Sequence, residues 1–250
     1  MSGHSKWHSI KHKKMANDAA RGKVFTKHAK LITIAVREGG GSGDPDQNPS
    51  LRLAIENAKK DNTPNNNIER AIKKGTGEDK DAAQLYEVTY EAMGPGGTAL
   101  MITALTDNKN RTFPNVRTIV EKRGGTMGSS GSVAWMFEKK GVILAKGLTG
   151  DEAEMAIIEA GADDYTDNND GTFEIYTDMK DLHTVREALA SGGFEIEKAE
   201  VSFIAKDEKK IDDLDTAKKI MNLMSAIDED EDVSDISGNF DIADELLSQL

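Results

Sequence analysis

The chain has 250 residues, a formal net charge of −12, 37% hydrophobic residues and no cysteine. It is long enough to bury a real core and to divide into small subdomains. The missing cysteines exclude disulfides, thiolate metal sites and a cysteine nucleophile, and they fit a reducing cytosol.

The first 37 residues carry nine Lys and Arg (Lys6, Lys11, Lys13, Lys14, Arg21, Lys23, Lys27, Lys30 and Arg37) against one acid, Asp18. This head of +8 leaves −20 for the remainder. Trp7 and four of the five histidines (His4, His8, His12 and His28) are interleaved with the cations. Lysine and arginine neutralise phosphate, and flat rings stack on bases, so the pattern suits nucleic acid. The competing reading is a solvated charged arm with no partner. No apolar run of signal-peptide type follows the basic start, and no segment approaches the roughly 18 apolar residues of a membrane span. A cytoplasmic protein without a membrane partner is expected.

Apolar residues at helical spacing (Val24, Phe25, Leu31, Ile32, Ala35, Val36) predict a helix to Val36, with Gly22 dividing it from a shorter one over 11–20. Gly39–Gly43 end it. Asn48 with Pro49 reads as an N-cap followed by proline at N1, because that position has no N–H to waste. Thr63 with Pro64 repeats the signal for a third helix, which Gly75 stops. Near Glu78 the period changes to alternation. Tyr86–Tyr90 and Ala99–Leu105 flank the Gly94–Gly97 turn as a hairpin. A helix from Thr112 has Pro114 in its first turn. Val133–Phe137 and Val142–Ala145 read as a strand pair around Lys139-Lys140-Gly141.

Thr149–Glu152 reads as a capping box opening a helix to Gly161. Asn169-Asp170-Gly171 is a hairpin signal between strands 163–166 and 172–176. A helix from Met179 to Ala190 and extended chain from Phe194 to Phe203 follow. Two small α+β units are implied, and their similarity reflects shared packing rules rather than duplication. The segment after Lys206 carries fourteen acids against four lysines. Its start (Leu214, Ala217, Ile220, Met221, Met224) is an amphipathic helix, Asp228–Asp232 a solvated loop, and Val233–Phe240 a last strand.

No catalytic constellation is found. His4, His8 and His12 have helical spacing but no carboxylate or thiol to complete a metal site. Gly124–Gly131 could offer N–H groups to an anion, with Arg111, Arg117, Lys122 and Arg123 as possible secondary phosphate contacts, but it lacks the ending of a P-loop. Asp44, Asp46 and Asn48 imitate the start of a calcium loop, where Pro49 then blocks the glycine position. No metal or cofactor is expected.

The sequence carries a resemblance in Met1–Trp7, Ile10–Lys13, Arg21–Lys23 and Phe25–Lys27. It continues through Gly39–Gly41, Leu51–Ile55, Asn67–Ile72, Gly75–Gly77, Tyr90-Glu91, Gly94–Gly97, Thr106–Asn108, Asn110–Thr112 and Gly128–Phe137. By these motifs the chain resembles the YebC family over nearly its whole length. The resemblance implies probable transcriptional regulators that bind DNA. It also implies kinship with a mitochondrial translational activator of cytochrome c oxidase subunit I and with bacterial members tied to ribosomes stalled on proline-rich sequence. The implied fold is α+β: a helical domain over 1–80, then two small ferredoxin-like domains. The second is built from 81–131 plus 206–250, and the third, 132–205, is inserted within it.

The expected function is therefore a non-enzymatic, nucleic-acid-binding regulator of gene expression, with DNA-binding transcriptional regulation as the first reading. Lys6, Lys11, Lys13, Lys14, Arg21, Lys23, Lys27 and Lys30 would neutralise phosphate, and Trp7 with His8 or His12 would stack on bases. The alternative is a factor associated with the ribosome or mRNA that relieves stalling. The first domain is not a clear helix-turn-helix, which tilts toward RNA, whereas the family label tilts toward DNA. A nucleic-acid-processing enzyme is the third reading, and it lacks a catalytic constellation.

Overall fold

The computed structural model describes residues 18–79, 83–247 and 249. The chain divides into two compact units. One is Lys139–Phe203, and the other runs up to Glu138 and resumes at Ile204.

The larger unit begins with three helices, α1 (Asp18–Glu38), α2 (Pro49–Lys60) and α3 (Asn65–Thr76). Ile32, Val36, Leu51, Ala58, Ile68 and Ala71 form their common core. Helix α1 runs through Gly22, so the break expected there does not occur. A lone glycine costs a helix only about 1 kcal/mol against alanine, which packing readily overrides. Asn48 caps α2 as expected, with its Oδ1 accepting from Leu51 N at 3.0 Å, and its amide donates to Ala35 O at 2.9 Å, which ties the loop to α1. Thr63-Pro64 does not repeat this cap. Asn62 is left-handed at φ 58° and Thr63 N returns to Ala58 O, so Thr63 closes α2 and Pro64 stands at the N-cap of α3 without a side-chain bond. Where α1 and α3 cross, Gly75 admits close approach: a Cβ there would lie 2.5 Å from Val36 Cβ.

Strands β1 (Tyr86–Gly94) and β2 (Thr98–Thr106) then pair antiparallel through the Gly94–Gly97 turn. Helix α4 (Lys109–Lys122) follows, capped by Asn108, and then the short β3 (Thr126–Met127). The C-terminal segment supplies β8 (Lys209–Ile211), α7 (Leu214–Asp228), β9 (Val233–Gly238), β10 (Phe240–Ile242) and α8 (Asp244–Leu247). The sheet order is β3-β1-β2-β9, with β8 and β10 as a separate parallel pair. Leu100, Ile102, Val116, Val120, Ile220, Leu223, Met224, Ile227 and Phe240 pack as one core, so the acidic segment contributes apolar faces to the sheet begun at Tyr86.

The smaller unit is built on β4 (Phe137–Lys146), α5 (Gly150–Glu159), β5 (Asp164–Asp167), β6 (Thr172–Thr177), α6 (Leu182–Ser191) and β7 (Glu195–Ala205). The sheet order β5-β6-β4-β7 on a β-α-β-β-α-β chain is the ferredoxin-like arrangement. The two strands expected around Lys139-Lys140-Gly141 are one. Gly141 continues β4 opposite Thr177, and glycine is needed because a Cβ would meet Thr177 at 2.9 Å and Leu182 at 3.0 Å. Residues before it, Ala134–Met136, form a 3₁₀ turn rather than strand. Thr149 stands at the N-cap of α5, but its hydroxyl caps nothing, and Gly150 enters at φ 58°. The Asn169-Asp170-Gly171 hairpin forms as read, with Asn169 at φ 56° and Gly171 at 88°.

Candidate nucleic-acid interface

Helix α1 carries Lys23, Lys27 and Lys30 at near-helical repeat. Lys23 and Lys30 reach back to the acidic C-terminal segment. Lys23 Nζ donates to Glu229 O at 3.0 Å, and Lys30 Nζ donates to Glu231 O at 2.8 Å and to Asp232 Oδ1 at 2.7 Å. Lys27 is half-buried. From the opposite side Arg111 Nη2 reaches Asp232 Oδ2 at 2.8 Å and Asp107 Oδ1 at 2.9 Å, and Thr112 Oγ1 donates to Asp232 Oδ2 at 2.7 Å. Burial alone would raise the Asp232 carboxyl. The hydrogen bonds from Lys30, Arg111 and Thr112 outweigh it and hold the group at about 2.

The reading of Asp228–Asp232 as a solvated loop is therefore corrected at its last residue, which is 6% exposed and holds two cations. The physical reason is that an aspartate at the end of an acidic run is buried once opposite charges more than a hundred residues away converge on it. Lys30 and Arg111 are accordingly ion-paired to Asp232, with the Arg111 side chain still 48% exposed.

Lys6, Trp7, Lys11, His12, Lys13 and Lys14 lie outside the described residues, as do His4 and His8. Arg21 lies on α1, but its side chain is outside the description. His28 is buried, with Nε2 2.6 Å from Asp61 Oδ2. Arg117 pairs with Glu121 at 2.7 Å along α4. Lys122 and Arg123 are exposed, and Arg123 shares an open cleft of about 590 Å³ with Lys219, Gly96, Thr216 and Asn222.

A second basic surface was not singled out from the sequence. Arg70, Lys73 and Lys74 are exposed on α3 at positions i, i+3 and i+4, opposite buried Ile68, Ala71 and Gly75. Among the described residues none of the three has an ion-pair partner. At the N-terminus of the same helix Asn65 and Asn66 are exposed. The spacing of cations against an apolar stripe carried the signal, since residues three and four apart share one helix face. Among the described residues no group of three or more His, Cys, Asp or Glu could hold a metal ion, and no helix is long and apolar enough to cross a membrane.

Residues 5–78 match the family model described as TACO1/YebC protein N-terminal domain, and residues 85–240 match that of the TACO1/YebC second and third domain. The chain is 49% identical to a probable transcriptional regulatory protein of Fusobacterium nucleatum subsp. nucleatum over 100% of both chains. It is 48% identical to a protein of the same description from Persephonella marina, again over 100% of both. The crystal structure of a conserved hypothetical protein from Aquifex aeolicus superposes with a TM-score of 0.85 at 43% identity, covering 92% of this chain and 94% of that one.

Proposed function

Because this chain belongs to the TACO1/YebC family, we propose that it is a non-enzymatic, nucleic-acid-binding regulator of gene expression that acts on duplex DNA in transcription. The observation that carries the reading is charge segregation: nine cations and one acid in the first 37 residues of a chain of net charge −12. Relatives bearing the description of probable transcriptional regulatory protein support it. So does the α2–α3 pair. Its connection is short, Asn65 and Asn66 open the second helix, and Arg70, Lys73 and Lys74 follow. Asparagine reads adenine edges in the major groove, and cations beyond it hold phosphate. The basic N-terminal residues Lys6, Lys11, Lys13 and Lys14 supply the remaining phosphate contacts, with Trp7 beside them.

The second reading, an RNA- or ribosome-associated translation factor, is favoured by one side chain. Trp135 is 69% exposed, and exposed rings serve unpaired bases better than bases already stacked in a duplex.

The test is a salt series of binding to duplex DNA and to hairpin RNA. Each duplex phosphate contact contributes about −0.9 to the log–log salt slope, so replacing Arg70, Lys73 and Lys74 with alanine flattens the slope by up to about 2.7. Replacing Lys11, Lys13 and Lys14 with glutamate weakens binding to all sequences alike. Unchanged affinity and slope for both triple variants would refute this reading of the helical segment.

A further inference from the structure

Strand β1 sends one acidic side chain into the protein. Glu91 is 8% exposed, and its carboxylate accepts from the backbone of the glycine-rich segment that leads to β4. Oε1 takes Gly131 N at 2.6 Å, and Oε2 takes Val133 N at 2.7 Å and Ala134 N at 2.9 Å, with the Ser132 hydroxyl at 3.4 Å. The Glu91 carbonyl also accepts from Gly128 N at 2.8 Å. Burial opposes the charge, yet the N–H groups of Val133, Gly131 and Ala134 outweigh it and lower the carboxyl below its usual range. Such a segment does not act as a loose connector; four of its donors are spent on one buried anion.

The product of this pinning is Trp135. Its indole is 69% open to solvent, and Nε1 donates to Ser132 O at 3.2 Å, which satisfies the ring's polar atom and fixes its orientation. Exposed Lys206 donates from Nζ to the Trp135 backbone carbonyl at 3.1 Å, so an ammonium is bonded to the residue that carries the ring. Single exposed apolar residues are ordinary on protein surfaces. A large flat ring whose polar atom is internally bonded, on a backbone clamped by a buried carboxylate and bonded at its carbonyl by an exposed lysine, is a preorganised stacking face. Stacking plus a nearby cation is the chemistry that recognises an unpaired nucleobase and its phosphate.

We propose that Trp135 is a stacking platform for an unpaired base of a bound nucleic acid, with Lys206 beside its phosphate and Glu91 as the positioning residue that holds the platform. The inference rests on the nucleic-acid-binding part of that reading and belongs with its second, RNA alternative, because a fully paired duplex cannot make this contact without intercalation.

The chain has two tryptophans, so the full-length protein with Trp7→Phe reports Trp135 alone. Titration with oligouridylate quenches this fluorescence, and a matched DNA duplex does not. In the same background Trp135→Ala weakens oligouridylate binding by about 5- to 150-fold, read by anisotropy, with the salt slope unchanged because no charge is removed. Trp135→Phe recovers part of the loss. Glu91→Gln leaves the ring present but loosens its support, so quenching falls while thermal unfolding monitors the fold. Oligouridylate bound with no change in Trp135 fluorescence and no loss in Trp135→Ala overturns the platform and leaves nucleic-acid binding standing. Equal quenching by duplex overturns the claim for unpaired bases. No binding of duplex or oligouridylate by the wild-type chain overturns both readings.

Discussion

The ion-pair node at Asp232 sets a measurable acid dependence. Asp232→Asn keeps the side chain's shape and removes the charge that Lys30 and Arg111 share. In the folded protein the carboxyl sits at about 2 instead of 3.8, and this fall corresponds to about 2 kcal/mol of stability. A fully buried pair that loses one partner costs about 3–5 kcal/mol. The cost here is lower because the Arg111 side chain is 48% exposed and retains Asp107, whereas Lys30 is only 18% exposed and loses the Asp232 carboxylate. We expect Asp232→Asn to lose about 2 kcal/mol near neutral pH, or about 4–8 °C in Tm for a chain of this size. The folded pKa is depressed, so the contribution is complete above the unfolded pKa and is lost as pH falls through the folded one. Thermal melts of wild type and variant from neutral pH downward should show a constant gap to roughly pH 5 that closes toward pH 2. A gap that is absent, or that persists unchanged into acid, would refute the node.

Two glycines on the helical segment give opposite outcomes. Gly75→Ala drives a Cβ to 2.5 Å from Val36 Cβ and 3.0 Å from Thr33 O and should cost about 1–3 kcal/mol, while Gly22→Ala, with nothing within 4 Å inside α1, should gain about 0.5–1 kcal/mol; urea titration measures both, and like signs would contradict the crossing. We propose residues 137–205 as an independently folding domain, because the Lys139–Phe203 unit buries its own Ile143, Ile157, Phe173, Ile175, Leu189 and Phe194; a fragment of that length that lacks cooperative unfolding by circular dichroism would argue against the boundary.

The features legible in the sequence are those decided within a few residues. Asn48 before Pro49 and the Asn169-Asp170-Gly171 turn depend on hydrogen bonds and φ preferences spanning three or four positions, whereas the helix read from Thr112 begins three residues earlier, at Lys109, behind an Asn108 cap. The α7 stripe of Leu214, Ala217, Ile220, Met221 and Met224 is likewise a local period, which packing then uses. Local signals also misled. Lys139-Lys140-Gly141 has the composition of a turn, yet Gly141 is there to let Thr177 and Leu182 approach a continuous strand. Thr63-Pro64 has the composition of a cap, yet the end of α2 claims Thr63 first.

Residue order alone sets the succession of helical and α+β segments, the segregation of charge toward the N-terminus and the family to which these motifs belong. Tertiary contacts decide which charges remain available and which ring is presented. Lys30 and Asp232 are 202 residues apart, and Glu91 and Val133 are 42 apart. No periodicity or turn signal reaches across such distances. Whether an acid is solvated, pairs with a distant lysine or clamps a loop depends on what the fold places within about 3 Å of it, because charge–charge and hydrogen-bond energies are decided by separation and burial and not by position along the chain.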